Sequence, residues 1–126
     1  MPASPTPTAE ILSKLTSQQN LWIATVRPDG RPHLAPIWFV WHNDKIYLGT
    51  DPKSVKARNL RANERVSCAL EDGAHPVICE GIAQHVPAPW AEDVLAAFFQ
   101  KYEWDLNKEA QYNDVWAITP EKWMAW

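Results

Sequence analysis

The chain is poor in the residues that mark several large protein classes. It has two cysteines and four glycines in 126 residues, which excludes a disulfide-rich secreted scaffold and a glycine-rich fibrous protein. No run approaches the roughly 18 apolar residues of a membrane-spanning helix. The GxGxxG fingerprint of dinucleotide-binding folds is also missing. The sequence therefore predicts neither a membrane partner nor a Rossmann sheet.

An excess of positive charge is missing as well. The formal net charge is −3 and the sequence pI is about 5.7, which argues against a general attraction to nucleic acid or to acidic membranes. The first ten residues lack the basic and apolar regions of a signal peptide. We expect a cytoplasmic protein with a flexible tail over residues 1–9 and a single domain over residues 10–126.

Metal-binding patterns are absent from the sequence. Cys68 and Cys79 each lie in an apolar, strand-like segment, which predicts buried, reduced thiols. The histidines follow no HxxxH or comparable ligand spacing: they are His33, His42, His75 and His85. We therefore expect no metal site.

Tryptophan is the abundant residue, with eight in this short chain. Some of these indoles must be ordinary core or interface residues, because each buries a large area whatever its function. The same composition suits a protein that holds a flat ligand. The eight are Trp22, Trp38, Trp41, Trp90, Trp104, Trp116, Trp123 and Trp126.

Hydrophobic periodicity predicts a small antiparallel β-barrel with flanking helices. Helices are expected at 8–16, 54–63 and 89–102. Three consecutive antiparallel strands are expected between residues 20 and 50, followed by strands at 65–71, 75–86, 114–120 and 122–126, the last two separated by Pro120. Such a sheet disposes of its exposed edges by closing. Gly49 and Gly81, inside strand patterns, suit bends in the barrel.

The segment "YLGTDPKSVKARNLRANERV" combines a helix start with positively charged residues, which are unfavourable at that end of a helix. Asp51 and Pro52 are typical of an N-cap and a first helical position. The cations that follow are Lys53, Lys56, Arg58 and Arg61. Because the helix dipole favours carboxylates at this end, the pattern indicates either a bound anion or a solvated basic face that pairs with residues such as Glu64.

Three segments together resemble the pyridoxamine 5′-phosphate oxidase-like family. They are "ATVRPDGRPHLAPIWFVWHNDKIYLGT", "SVKARNLRANERVS" and the final "ITPEKWMAW". The resemblance covers roughly residues 10–126 in the family's order. It implies a split β-barrel of the flavin mononucleotide (FMN)-binding type, with the cofactor in a groove at a homodimer interface.

The family resemblance also implies a function. It indicates a flavin-dependent oxidoreductase that acts on a small molecule with FMN. The alternatives are a reductase that uses the deazaflavin coenzyme F-420, and a non-catalytic carrier of flavin or haem. In a flavoenzyme the cofactor performs the electron or hydride transfer, so we name no catalytic acid or base.

Candidate site residues follow from the family's motif. Thr50, Ser54 and Lys56 match its phosphate-contacting pattern, with Asn59 as a neighbouring candidate. The strand segment that follows the ring edge in the family corresponds to Pro36, Ile37, Trp38 and Phe39. The terminal Trp126 matches a tryptophan that lies near the site in the deazaflavin-associated branch.

The chain departs from the family pattern at two places. True pyridoxamine-phosphate oxidases are longer and end in an arginine-rich segment, whereas this sequence has no arginine after Arg65 and ends in "PEKWMAW". A position that is often basic in that enzyme is Val55. We therefore expect a substrate other than the vitamin. Glu80, inside an apolar strand, either meets an arginine across the dimer or faces outward.

Overall fold

The computed structural model describes residues 6–126. The tail expected over 1–9 therefore lies mostly outside the described residues, and its last residue already belongs to a helix. This helix, α1, begins at Ala9, and the Thr8 hydroxyl accepts a hydrogen bond of 3.2 Å from the Ile11 backbone N–H. A threonine cap supplies an acceptor for one of the N–H groups that a helix start leaves unpaired.

The described chain contains three α-helices, a short 3₁₀-helix and six strands. The helices are α1 (Ala9–Ser17), α2 (Val55–Ala62) and α3 (Glu92–Tyr102), with the 3₁₀-helix at Leu106–Lys108. The strands are β1 (Asn20–Val26), β2 (Pro32–His42), β3 (Lys45–Thr50), β4 (Arg65–Leu70), β5 (Val77–His85) and β6 (Asp114–Ala125). Among the described residues, no helix combines the length and the apolar character needed to cross a bilayer.

The six strands form a closed antiparallel barrel in the order β1–β2–β3–β6–β5–β4. β4 pairs back onto β1, so that Ile23 lies opposite Cys68. Closure pairs the backbone groups that an open sheet would expose along its edges. The predicted fold class, a mainly β protein with an antiparallel barrel and flanking helices, is confirmed.

Alternation along the strands decides which side chains fill the barrel. Leu21 and Ile23 of β1 point inward and are buried, whereas Trp22 between them is exposed. Cys68 and Cys79 are cross-strand partners in the same core, and both thiols are free. The prediction of buried, reduced cysteines is confirmed. Burial raises the pKa of the Cys79 thiol to about 12.

A second apolar layer lies outside the barrel under α3. Val94 and Phe98 of this helix are buried together with Val40 of β2 and Val115 of β6. The neighbouring Phe99 is exposed on the far side of the helix. α3 thus covers one side of the barrel and brings its C-terminal end next to β2.

The last strand differs from the prediction of two short strands separated by Pro120. β6 continues from Asp114 to Ala125, and Pro120 lies opposite Gly81 at a register shift between Glu80 and Gly81. Proline has no N–H to donate to the ladder, and a register shift is where a sheet tolerates that loss. Gly81 therefore occupies a barrel irregularity, as its position in the strand pattern predicts.

Lys101 of α3 is a cation packed between helix and barrel. Its Nζ lies 3.8 Å from the centroid of the Phe39 ring and donates a 3.1 Å hydrogen bond to the Leu15 carbonyl oxygen. Burial lowers the pKa of this ammonium from 10.5 to about 8. The folded protein thus releases a proton that the unfolded chain still holds, so stability rises with pH across this interval.

Because the folded protein loses the Lys101 proton at a lower pH, we expect the free energy of unfolding to increase by about 1 kcal/mol between pH 8 and pH 10.5. This value is lower than the full pKa shift implies, because the side chain is partly exposed to solvent. Lys101→Met should remove this increase, because the side chain then carries no titrating group. Urea unfolding at the two pH values measures it, with the exposed Lys122→Met as control. An equal pH dependence in the wild type and Lys101→Met would contradict the assignment.

Candidate functional site

The turn between β3 and α2 is built by residues 51–54. The Asp51 carbonyl oxygen accepts hydrogen bonds from the Ser54 backbone N–H at 2.9 Å and the Ser54 hydroxyl at 2.7 Å. Ser54 Oγ accepts from the Ala57 N–H at 3.2 Å and caps the helix. The predicted Asp51 cap is wrong, because the Asp51 carboxylate accepts from the Lys53 N–H and closes a turn before the helix begins.

Lys56 lies in the first turn of α2 and lines a surface cleft. Within residues 6–126 its ammonium makes no ion pair. The backbone N–H groups of Val55 and Lys56, at the helix start, also have no hydrogen-bond acceptor among residues 6–126. An ammonium beside unpaired N–H groups at the positive end of a helix is an arrangement that suits an anion.

His33 of β2 lies near this cation. Its Nδ1 is shielded from solvent and has no hydrogen-bond partner among the residues that the structure describes. Burial lowers the pKa of the imidazole, and the charges of Arg27 and Lys56 lower it further. Two cations, Arg27 and Lys56, thus lie near one imidazole, which indicates a local concentration of positive charge around Lys56.

Asp114, at the start of β6, joins four neighbouring side chains. Its carboxylate oxygens lie 2.9 Å from both His85 Nε2 and Trp116 Nε1, and 3.5 Å from Arg61 Nη1. The fully buried Thr50 hydroxyl donates to the Asp114 carbonyl oxygen at 2.9 Å. This corrects the expectation that the Thr50 side chain contacts a phosphate, because its hydroxyl connects β3 to β6 instead.

Asn59 holds α2 against the barrel. Its Nδ2 donates a 3.0 Å hydrogen bond to Thr25 Oγ1, and both residues are buried. A buried amide needs such a partner, and the bond turns the Asn59 side chain toward β1. The prediction that Asn59 contacts the cofactor is therefore corrected: this residue positions the helix that carries Lys56.

β2 presents alternate residues to the two sides of the barrel wall. Pro36 and Trp38 face outward, where Trp38 is 45% exposed, and Ile37 and Phe39 are buried. Pro36, Ile37 and Trp38 line the cleft. Phe39, the fourth residue of the predicted ring-edge segment, does not line the cleft, because its side chain points away from the side that Trp38 occupies and lies in the core.

Tyr102, at the end of α3, supports the Trp38 indole. The two rings stack with centroids 4.4 Å apart and an interplanar angle of 7°. The Tyr102 hydroxyl oxygen lies 2.6 Å from the Gln19 carbonyl oxygen and 2.7 Å from that of Phe39. Burial raises the pKa of the phenol to about 12. A neutral tyrosine, fixed by backbone partners, thus holds the indole in place.

The segment 103–113 forms the remaining wall, a role that its sequence does not predict. Trp104 packs edge-on against Trp38 with ring centroids 6.0 Å apart, and its Nε1 donates a 2.8 Å hydrogen bond to the Glu109 carboxylate. A Cβ on Gly49 would lie 2.6 Å from the Trp104 indole. Gly49 therefore permits the close approach of the Trp104 indole rather than the predicted bend. The glycine inside a strand pattern was the sequence signal that could have indicated this contact.

These elements enclose a cleft of about 500 Å³, a size typical of small-molecule sites. Aromatic rings from β2, α3 and the 103–113 segment form its walls, and its charged residues are Lys56, Glu103 and Glu109. Four predicted site residues lie on this surface: Pro36, Ile37, Trp38 and Lys56. Ser54 holds the adjoining turn.

Trp126 and Glu80 do not line the cleft. Trp126 follows Ala125, which pairs with Val77, and its side chain is 73% exposed. Within the single chain, Trp126 therefore lies outside the cleft. Glu80 is exposed on β5 opposite Lys122, so the alternative in which the strand turns this carboxylate outward is the one observed.

Several solved structures are similar to the chain. HutZ, the haem storage protein from Vibrio cholerae, has a TM-score of 0.80 and 21% identity, over 92% of this chain and 92% of that chain. An F420 reductase has a TM-score of 0.73 and 26% identity, over 94% of this chain and 98% of that chain. An FAD-binding protein from Mesorhizobium loti has a TM-score of 0.66 and 20% identity, over 94% of this chain and 92% of that chain.

The likeness to HutZ and to the FAD-binding protein shows a shared fold. A sequence profile described as pyridoxamine 5′-phosphate oxidase matches residues 7–126. The match spans the whole barrel and includes the turn and helix that carry Ser54 and Lys56. The chain therefore belongs to the pyridoxamine 5′-phosphate oxidase family.

Proposed function

We propose that the cleft binds a flavin-type redox cofactor and that the protein is an oxidoreductase acting on a small molecule. The observation that carries this proposal concerns Lys56, which lines the cleft. Among residues 6–126 its ammonium makes no ion pair, and the backbone N–H groups of Val55 and Lys56 beside it have no acceptor. A phosphate brings nearly two negative charges at neutral pH. Each charge-assisted hydrogen bond to it is worth roughly 1.5–3 kcal/mol.

The rest of the cleft fits the planar part of such a cofactor. Pro36 and Trp38 border it on β2, and the Trp38 indole is held by its stack on Tyr102. Aromatic walls exclude water and favour a flat ring system. The bound cofactor supplies hydride or electron transfer, and the side chains bind it, orient it and shape the approach of the substrate.

Among the candidate cofactors we favour the deazaflavin coenzyme F-420 over FMN. The F420 reductase is 26% identical over nearly the full length of both chains, whereas the FAD-binding and haem storage proteins are less similar in sequence. FMN is the second candidate, since its phosphate places the same demand on Lys56. Haem carriage is the third, because one barrel fold hosts several functions.

We further propose that two copies of the chain form a homodimer through the outer face of β1 and β2. Trp22, Leu34 and Trp38 are 40%, 63% and 45% exposed. Trp22 pairs with Pro36, and Leu34 pairs with Ala24, so these side chains form one continuous apolar surface. Surfaces of this kind mark interaction sites, and tryptophan is enriched at interfaces.

Light scattering coupled to size-exclusion chromatography tests the dimer. We expect the wild type to elute as a dimer and Leu34→Asp to dissociate, because a buried unpaired carboxylate is costly at an interface. Phe99→Asp, on the exposed side of α3, is the control and should remain dimeric. A monomeric wild type that binds cofactor with full affinity would contradict the interface.

Titration of the purified protein with three cofactors tests the proposed function. Coenzyme F-420, FMN and haem are added separately, and binding is followed by absorbance or by quenching of tryptophan fluorescence. We expect F-420 to bind most tightly and FMN next. Tight binding of haem with no binding of either flavin-type cofactor would overturn the proposal in favour of a carrier.

A further inference from the structure

The Glu109 carboxylate is fixed on the cleft surface by three donors. One oxygen accepts a 2.8 Å hydrogen bond from Trp104 Nε1, and the other accepts from the backbone N–H groups of Gln111 at 3.0 Å and Tyr112 at 3.1 Å. These bonds, the one from Gln111 first, lower the pKa of the carboxyl. The cleft therefore carries a permanent negative charge at neutral pH.

Glu103 adds a second carboxylate to the same surface. It ends α3 in the left-handed conformation, with φ at 55°, and its backbone N–H donates a 2.7 Å hydrogen bond to the Phe99 carbonyl oxygen. Glycine is the residue that adopts this conformation without steric cost. Its exposed carboxylate has no ion pair within the described part of the chain.

We infer that the cleft selects a planar, positively charged substrate over an uncharged one, and an uncharged one over an anion. The inference rests on the proposed function, in which the acidic tail of the cofactor neutralises Lys56. The cleft then keeps two carboxylates, Glu103 and Glu109, and no other charged side chain on its surface within the described chain. Opposite charges attract a ligand and like charges repel it even through water.

The aromatic walls strengthen the same preference. Trp38 and Trp104 meet edge to face, and the partly exposed Tyr112 ring lines the cleft beside them. Indole and phenol rings present a negative face to a cation. A planar cation can therefore stack on a ring while its charge lies close to Glu103 or Glu109.

The test uses three naphthoquinones that differ only in one substituent: a trimethylammonium group, a hydrogen or a sulfonate. Isothermal titration calorimetry measures their dissociation constants with the cofactor-loaded protein and with the cofactor-free protein. In the loaded protein at low salt we expect the cation to bind at least about fivefold more tightly than the sulfonate. This ratio should fall as the salt concentration rises.

Variants identify the source of the preference. Glu103→Gln should reduce the ratio by about half or more, because the amide keeps the size of the side chain and removes its charge. Glu109→Gln tests the second carboxylate. Glu92→Gln, which replaces an exposed carboxylate on α3 outside the cleft, should leave the ratio unchanged.

The outcomes separate the inference from the proposed function. Equal affinities, or tighter binding of the sulfonate, in a protein that binds its cofactor would overturn the inference alone. A ratio that Glu103→Gln and Glu109→Gln leave unchanged would also overturn it. Failure to bind F-420 or FMN while the cofactor-free cleft still prefers the cationic quinone would overturn the proposed function alone.

Discussion

Replacing Lys56 by alanine should weaken cofactor affinity at least about tenfold, because the change removes one strong charge-assisted bond to the phosphate. The fold should be unaffected, since the Lys56 ammonium makes no ion pair in the described chain and the side chain is only half-buried. Fluorescence titration with F-420 and with FMN measures the affinities. Far-UV circular dichroism and thermal unfolding verify that the variant is folded.

The neighbouring Lys53 provides the matched control. It precedes α2 by two residues, is exposed and does not line the cleft. Lys53→Ala should therefore cost less than about threefold in affinity, because it removes only a distant, screened attraction. Equal losses in the two variants would mean that a general positive field binds the cofactor. An unchanged affinity in Lys56→Ala would place the anion elsewhere.

Gly81→Ala should destabilise the protein by about 2 kcal/mol or more. A Cβ at this position would lie 2.4 Å from the Thr119 carbonyl oxygen and 3.0 Å from the Ile118 side chain. The nearest atom belongs to the backbone of β6, so it moves only if the pairing of β5 and β6 is disturbed. Urea or thermal unfolding measures the loss.

Gly73→Ala is the control for Gly81→Ala. A Cβ built on Gly73 would meet no atom of residues 6–126 within 4 Å, so the change should stay within about 0.5 kcal/mol of the wild type. A Gly81→Ala protein as stable as Gly73→Ala would show that the barrel accommodates a methyl group at the register shift. The close approach of the two strands would then not restrict residue 81 to glycine.

The fold was largely predictable because each of its signals is local. Strand alternation and the apolar spacing of α3 are both properties of short segments. The register shift at Gly81 was harder to predict, because it depends on Pro120, a residue of another strand. A sequence pattern identifies a glycine or a proline but not the residue that faces it.

The candidate site residues were predictable only where a suitable residue type also lies on the surface that borders the cleft. Lys56 was predicted because it combines a cation at a helix start with the phosphate-contacting pattern of the family. Thr50 and Asn59 have equally suitable side chains, but their hydrogen bonds go to Asp114 and Thr25, which are distant in sequence. Such partners cannot be read from the motif that contains Thr50 and Asn59.

The abundance of tryptophan was informative but ambiguous. Trp41 and Trp123 meet edge to face at 5.7 Å and pack against the barrel core, which is a structural role. Trp38 and Trp104 meet in the cleft. The sequence could not separate these pairs, because the segment that contains Trp104 has no regular periodicity and is positioned by its contact with Gly49.

A crystal structure of the protein with coenzyme F-420 would show directly whether Lys56 and the start of α2 hold the phosphate of the coenzyme. We expect the phosphate within hydrogen-bond distance of the Lys56 ammonium and the N–H groups at the start of α2. We also expect the ring system to lie along Pro36 and Trp38. A coenzyme bound elsewhere, for example in the groove beside Arg61 and His85, with the Lys56 ammonium in contact only with solvent, would contradict this expectation.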